Sequence, residues 1–559
     1  MNEQRLEEAL LIRPPSLNSI KPSCNKYKTQ FPLSNEVIYG RPLYVFREWY
    51  PQCCLSSSMN SFYPLLDTDE KQKKATLAVP EDITSPVIDQ SGPVNVTFEN
   101  IDPNEHVRSI HSLPDHILTE ILLHLHPVHL VHSISLVCQR WRHIVENRIF
   151  WRSIRVVISN PPFFKEHVAR RLQKICKWTE KLCLYVNINP GFGEVSDVDL
   201  VSLFPSMMTS LTVLDIGFLK VFSPLVLSFF ILHCPNLERL NMEGFVQVND
   251  GIFHLLFDNK SFPKLRQLIL AYCEALEPTD FAELCASTHQ LEVLSIDGIP
   301  SLRTSSIRLF CHSLSASTIV RLYLDGEALD DNAFLAISNC SNLELLSVSF
   351  CESASDAALT HLKFLRNLEH LHLRKGKEFS AGGLRNFFEL SKFDAAQTFP
   401  SRLKFLNIGE CPCLNDSVVD VITKNCPLMR SLCIFWCWSV TDDGLAMIAQ
   451  RLPDLIFLDV SGLDCIDGNV LIDVPDLWLP KLRFLGACHC PRVEDSTLQF
   501  LCLRKRDLIV SDYSSSFIIV NIDENGQFKF DCRNDHVMYQ AVLRELMDIE
   551  GFCCLPDIR

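Results

Sequence analysis

The chain has 559 residues, 47% of them hydrophobic and 21% charged, enough apolar material for at least one large core, which excludes a wholly disordered or collagen-like polymer. Acidic side chains outnumber basic ones by 67 to 52, a formal charge of −15, so neither a general phosphate-binding surface nor a nucleic-acid partner is expected. The opening MNEQRLEEALLIRPP lacks a basic start followed by an apolar block, and no stretch approaches the roughly 18 apolar residues of a spanning helix; the expectation is an intracellular protein, cytoplasmic or nuclear, with no membrane partner.

Residues 1–105 hold 11 of the 30 prolines, scattered through polar stretches with no sustained period of 2 or 3.6, and read as largely disordered. Across 106–155 the pattern turns helical. Leu113-Pro114 opens it, with the proline expected in the first turn, where its missing N–H costs nothing. Ile117, Leu118, Ile121, Leu122 and Leu125 then recur at helical spacing, Pro127 stops that helix, and Leu130, Ile134, Val137, Trp141 and Ile144 mark a further apolar stripe. A module of roughly 40 residues is too small to bury all this surface alone and needs a partner.

From residue 156 to about 510 the chain repeats itself. An L-x-x-L-x-L unit starts at Leu211, Leu237, Leu265, Leu291, Ile319, Leu343, Leu368, Leu403, Met429, Leu455 and Leu482, and its fourth position is leucine every time, from Leu214 to Leu485. Each unit is too short to cover its own apolar face, so neighbours must stack into a curved α/β solenoid of about 11–12 repeats, with a parallel inner sheet and outer helices. Helical halves show at Val418 to Thr423 and Leu445 to Ile448, and the single long step, from Leu368 to Leu403, places an insertion near 390–401.

The 24 cysteines include no C-x-x-C pair, which argues against structural zinc, and no cofactor is expected. They follow the repeat instead. Cys273, Cys351, Cys411, Cys437 and Cys490 stand eight residues after a first position, and Cys234, Cys340 and Cys426 three residues before one. Residues locked to the phase in this way fill equivalent buried niches in successive coils.

Two-residue alternation sends the fourth and sixth positions of each unit inward and the third, fifth and seventh to the concave face. That face reads Asp215, Glu243, Asp297 and Asp325, then His370, His372 and Arg374, then Phe405, Phe435, Phe457 and Phe484. Four exposed phenylalanines are an expected anchor for an apolar element of a target, beside an acidic half open to basic residues; Asp297, Asp325, His372, Arg374 and the four phenylalanines are the candidate target-binding set. Residues 511–559 read as a hairpin, Phe517 to Asn521 and Phe528 to Phe530 about Asn525-Gly526, then a helix; as a cap, this tail is the competing cover for the phenylalanines.

The run L-P-x-x-I-L-x-x-I-L-x-x-L from Leu113, then V-C-x-x-W-R and Phe150-Trp151, resembles an F-box, and the repeats resemble leucine-rich repeats of the cysteine-containing type. The order of the two is similar to that of the F-box and leucine-rich repeat family. The resemblance implies a small all-α F-box module ahead of the leucine-rich repeat array, and a substrate-recognition subunit of an SCF-type ubiquitin ligase. It implies that Leu113, Pro114, Ile117, Leu118, Ile121, Leu122 and Leu130 meet the Skp adaptor, with Val137 and Trp141 supporting the fold or that contact, cullin and RING subunits reached through the adaptor and an unknown target held by the repeats. Such a receptor has no active site, and no G-x-x-x-x-G-K, H-E-x-x-H or G-x-S-x-G motif is present. A non-ligase scaffold bridging protein partners is the alternative.

Overall fold

The computed structural model describes residues 110–533 apart from 126–129, 159–172, 187–196, 206, 218–222, 246–251, 258–261, 391–398, 473–478, 513–516 and 523–527. The N-terminal region, most of the expected insertion and the expected C-terminal helix lie outside the described residues.

One sixteen-stranded sheet runs through the molecule in sequence order. Its strands are β1 (Ser153–Ile158), β2 (Lys181–Val186), β3 (Val213–Asp215), β4 (Arg239–Asn241), β5 (Gln267–Ile269), β6 (Val293–Ile296), β7 (Arg321–Asp325), β8 (Leu345–Ser349), β9 (His370–Leu373), β10 (Phe405–Asn407), β11 (Ser431–Cys433), β12 (Phe457–Asp459), β13 (Phe484–Gly486), β14 (Ile509–Ser511), β15 (Phe517–Ile522) and β16 (Phe528–Arg533). Pairing is parallel from β1 to β14 and antiparallel through β15 and β16. A helix follows most of the parallel strands and turns its apolar side to the sheet, as Phe281, Phe310 and Phe334 do in three successive coils.

Register explains why leucine never varies at the fourth position. Leu182, Leu214, Leu240, Leu268, Leu294, Leu322, Leu346, Leu371, Leu406, Leu432, Leu458 and Leu485 are paired neighbour to neighbour across the sheet, and all are buried in one continuous core. Burying each contributes about 1.5–3 kcal/mol, and a slip of one residue would turn that leucine to the opposite face. The phase-locked cysteines line the same interior; Cys273, Cys411, Cys437 and Cys490 each point the thiol at a backbone carbonyl of the preceding coil, 3.2–3.5 Å away.

Two strands precede the eleven units legible in the sequence. In β2 the first position is Thr179, and in β1 the first and fourth are Trp151 and Ile154, so the leucine pattern fades while the coil persists. Thr179 is tolerated in the core because its hydroxyl donates to the Trp151 carbonyl at 3.0 Å. Leu118, Trp141, Phe150, Trp151, Ile154 and Leu182 belong to the same core cluster, so the N-terminal helices and the first coil are packed as one piece.

At the far end, Val510 of β14 pairs with Ile518 of β15. The hairpin therefore adds itself to the edge of the parallel array; the rest of the expected cap lies outside the described residues. Backbone hydrogen bonding decides this, because the free edge of β14 offers unpaired N–H and C=O groups.

The outer helices are stapled to one another at their N-termini. Asp331 accepts from the backbone N–H and hydroxyl of Ser355 at 2.8 and 2.6 Å; Asp356 does the same for Ser380, and Asp416 for Thr441. Ser355, Ser380 and Thr441 are themselves the N-caps of their helices, each hydroxyl accepting from a first-turn N–H. A Cβ at Gly383 would overlap the Asp356 carboxylate, whereas one at Gly382 meets only the Ser380 hydroxyl at 3.5 Å. Gly383→Ala is expected to break the staple and destabilise by about 1–2 kcal/mol, while Gly382→Ala leaves stability unchanged or raises it by up to about 1 kcal/mol. Urea unfolding followed by far-ultraviolet ellipticity distinguishes them: equal midpoints for the two variants would refute the staple.

Candidate functional site

Two surfaces bear on function. The first is built by the helices Asp115–Leu123 and Gln139–Val145 and the turn between them. Pro114 is the N-cap of the first helix, one place earlier than expected, with φ −57° and ψ 151°. Helical spacing then divides the apolar residues. Leu118 and Leu122 turn inward, and with Leu130 and Trp141 form the core of the module; Ile117 and Ile121 stay exposed, as do Pro114 and Val137, and Leu113 is half-buried.

Of the nine residues assigned to the adaptor contact or its support, Leu118, Leu122, Leu130 and Trp141 are buried within this chain. Sequence reasoning missed Leu136, which is 66% exposed, and Arg140. Arg140 donates to the Asp115 carboxylate at 2.8 Å and to the backbone carbonyl of His111 at 2.6 Å, which ties the segment before the first helix to the last one. An arginine followed by the core tryptophan was its sequence signal.

The second surface is the concave face. Alternation places the third, fifth and seventh positions there, and none of Phe405, Phe435, Phe457 and Phe484 enters the interior core. Their exposure is nonetheless close to nil, 0% for Phe457 and Phe484, which corrects the expectation of exposed rings. Neighbouring strands lie about 4.8 Å apart, so flat side chains at one position tile. Phe457 stacks on Phe484 with centroids 4.6 Å apart and planes 14° apart, Phe405 stacks on His370 at 4.4 Å, and Phe435 carries the Arg374 guanidinium 5.4 Å from its centroid.

Charge on this face is held in separate places. At its centre Arg374 is buried, its Nε donating to Glu410 Oε1 at 2.6 Å, with Lys375 Nζ 3.7 Å from the same carboxylate. His372 is buried, and burial followed by the neighbouring His370 pushes its imidazole down to about 3. Towards β3, Glu243 is buried and pushed up to about 8, by burial and then by Asp215. Asp297 is buried and accepts from Tyr272 and Ser349, while Asp325 is half-buried. Asp459 in β12 is pushed up to about 6 by burial.

The exposed aromatics are elsewhere. Trp436 and Trp438 lie just past β11, the latter 51% exposed, in a F-W-C-W run that the repeat pattern passed over. Trp436 occupies the eighth position of its coil, where the chain leaves the strand in the left-handed region; Tyr272, Phe350, Lys375, Glu410 and His489 do the same, with φ of 55–59°. A bulky ring there needs space on the next coil. Gly298 supplies it for Tyr272 and Gly462 for Trp436, since a Cβ at either glycine would overlap the ring.

The pH behaviour of His372 follows from its burial. Its folded pKa lies below the unfolded value of about 6.5, so its contribution to stability is complete above pH 6.5 and is lost as pH falls towards 3. Removing the imidazole removes that loss. The stability advantage of the native chain over His372→Gln is expected to shrink by on the order of 1–2 kcal/mol between pH 6.5 and 5. Thermal unfolding of both at pH 7, 6 and 5 measures it, and parallel curves would contradict the assignment.

The family model for the F-box domain matches residues 110–153. The chain is 29% identical over 176 residues to F-box/LRR-repeat protein 4 of Bos taurus, covering 31% of this chain and 24% of that protein. It is 24% identical over 241 residues to Putative F-box/LRR-repeat protein 22 of Arabidopsis thaliana, 43% of this chain and 68% of that one. Putative RNA-binding protein EEED8.10 of Caenorhabditis elegans matches at 24% over 306 residues, 53% of this chain and 38% of that one. The matched region thus spans about a quarter of the bovine relative and under two fifths of the nematode one. Among solved structures, the complex of Rad7 and Elc1 in yeast gives a TM-score of 0.43 at 14% identity, covering 71% of this chain and 90% of that one. An internalin, InlF, of Listeria monocytogenes gives 0.35 at 15%, covering 64% and 93%. The chain thus carries an F-box domain at 110–153 ahead of a parallel leucine-rich repeat solenoid, and is similar to proteins named for the same two elements.

Proposed function

We propose that the chain is the substrate-recognition subunit of an SCF-type ubiquitin ligase. The F-box binds the Skp adaptor, the adaptor brings the cullin and RING subunits, and the concave face of the repeats holds the protein to be ubiquitinated. The observation that carries this reading is the division within the F-box helices. Ile117, Ile121, Leu136 and Val137 are large aliphatic side chains left in solvent while the residues beside them fill the core. Exposed aliphatics on a small helical module are what an apolar partner covers.

In this reading the chain supplies position, not chemistry. Holding a target lysine near a charged conjugating enzyme raises its effective concentration and restricts its orientation. The shared core of Trp151, Ile154 and Leu182 supports that role, because a receptor packed through from adaptor to target transmits a defined geometry.

The test is co-purification of the adaptor and cullin with the full chain, against an Ile117→Asp, Ile121→Asp variant. Both positions are exposed, so the variant is expected to keep its unfolding midpoint and to lose at least about tenfold in recovered adaptor, by analogy with interface anchors worth 2 kcal/mol or more. Leu118→Ala is expected to lower stability itself, by about 2–5 kcal/mol. Undiminished adaptor on the folded double variant would overturn the proposal, and adaptor recovered without cullin would favour a bridging scaffold.

A further inference from the structure

The carboxyl group of Glu243 is an anomaly on the concave face. It is 9% exposed, and its Oε1 meets no hydrogen-bond donor. The other buried acids of this face are provided for: Asp297 accepts from Tyr272 and Ser349, and Asp459 accepts from the Ser461 backbone at 3.0 Å. An orphaned buried carboxyl oxygen costs the desolvation of that group, a penalty that no donor among the described residues offsets.

The surroundings are acidic and partly exposed. Asp215 of β3 faces Asn241 of β4; its Oδ1 accepts from Asn241 Nδ2 at 3.0 Å and from the Gly217 backbone at 3.1 Å. Asn241 Oδ1 in turn accepts from the backbone N–H of Glu243 at 2.9 Å, which fixes where that side chain starts. Asp215, Gly217, Asn241 and Gly244 are all partly exposed, so Glu243 is the most buried of the group. Gly217 lies close against this group: a Cβ there would meet Asn241 Nδ2 at 3.2 Å, Asp215 Oδ1 at 3.4 Å and Glu243 Cβ at 3.5 Å, so any larger residue would crowd it.

We propose that this site takes the ammonium or guanidinium group of one lysine or arginine side chain of the target protein, with Glu243 as its buried counter-ion and Asp215 beside it. The proposal rests on the receptor reading above and names the chemistry of its target. Two carboxyl groups with a free acceptor oxygen between them suit a cation better than a neutral donor, which would leave their charge uncompensated. Among the described residues no cation is paired with the Glu243 carboxyl, and Arg239, on the same strand, starts four residues away, about 13 Å of extended chain. The raised Glu243 carboxyl, about 8, fits a group waiting for a counter-charge, since an arriving cation favours its ionised form.

The experiment pans a random dodecapeptide display library on the purified full chain and measures the selected peptides by fluorescence anisotropy. Selected peptides are expected to share one lysine or arginine. Replacing it by alanine should weaken binding at least tenfold on the native chain and less than twofold on Glu243→Gln or Asp215→Asn, both near-isosteric and both checked for an unchanged unfolding midpoint. Glu378→Gln, exposed and outside the site, should behave as native. A selected pool without a shared basic residue, or an alanine effect that persists in both site variants, would overturn the proposal. Adaptor recovery is measured on the same preparations: its loss from the native chain would sink the receptor reading and leave the peptide result standing, whereas peptide coupling absent with adaptor present would sink the cation site alone.

Discussion

The structure depends on one constraint, that a leucine must stand behind every rung of the parallel sheet in the same register. Most strands from β3 onward are only three residues long, so each rung has few ladder hydrogen bonds with which to resist slippage. The leucine column does so instead, because displacing one member by a residue sets it on the concave face and opens a cavity in the interior. The Asp–Ser and Asp–Thr contacts between helix starts apply a second restraint on the opposite side of each coil. Sheet and helices are thereby held at the same pitch by different chemistry, dispersion on one side and charge-assisted hydrogen bonds on the other.

That division explains which features were legible in the sequence. Anything fixed by the core was: the eleven units, the inward cysteines, the alternation of faces. A first position occupied by Thr179 or Trp151 hid two further coils, because a threonine hydroxyl satisfied by a carbonyl, or a large indole, fills the niche as well as leucine does without resembling it. Exposure was harder to read than face. Phe457 and Phe484 point where alternation sends them, but their burial comes from a neighbour one coil away in space and twenty-seven residues away in sequence. The same gap separates Ile117 from Leu118 in the F-box, where spacing gives a stripe and only packing says which edge of it is covered.

Along the concave face the side chains sort into an acidic end, a central ion cluster about Arg374, and an aromatic end. Burial modifies each. It pushes the Glu243 and Asp459 carboxyls up and the His372 imidazole down, and at Glu243 the shift is large enough to reduce the charge of the face near neutral pH. The concave face therefore carries a few desolvated groups and not a broad field, the condition under which single contacts discriminate strongly between partners.

The left-handed eighth position has a consequence for how such an array can change. Tyr272 needs Gly298 and Trp436 needs Gly462, each pair reaching across a coil boundary. The coils are therefore not interchangeable beads. Duplicating the coil that begins at Met429 would set a tryptophan ring against another tryptophan, and deleting the one that begins at Leu455 would remove the glycine across which Trp436 reaches the His489 ring, centroids 5.8 Å apart. Lengthening or shortening the solenoid must then proceed in steps that keep ring and glycine together, so the heritable unit is the junction between coils and not the coil itself.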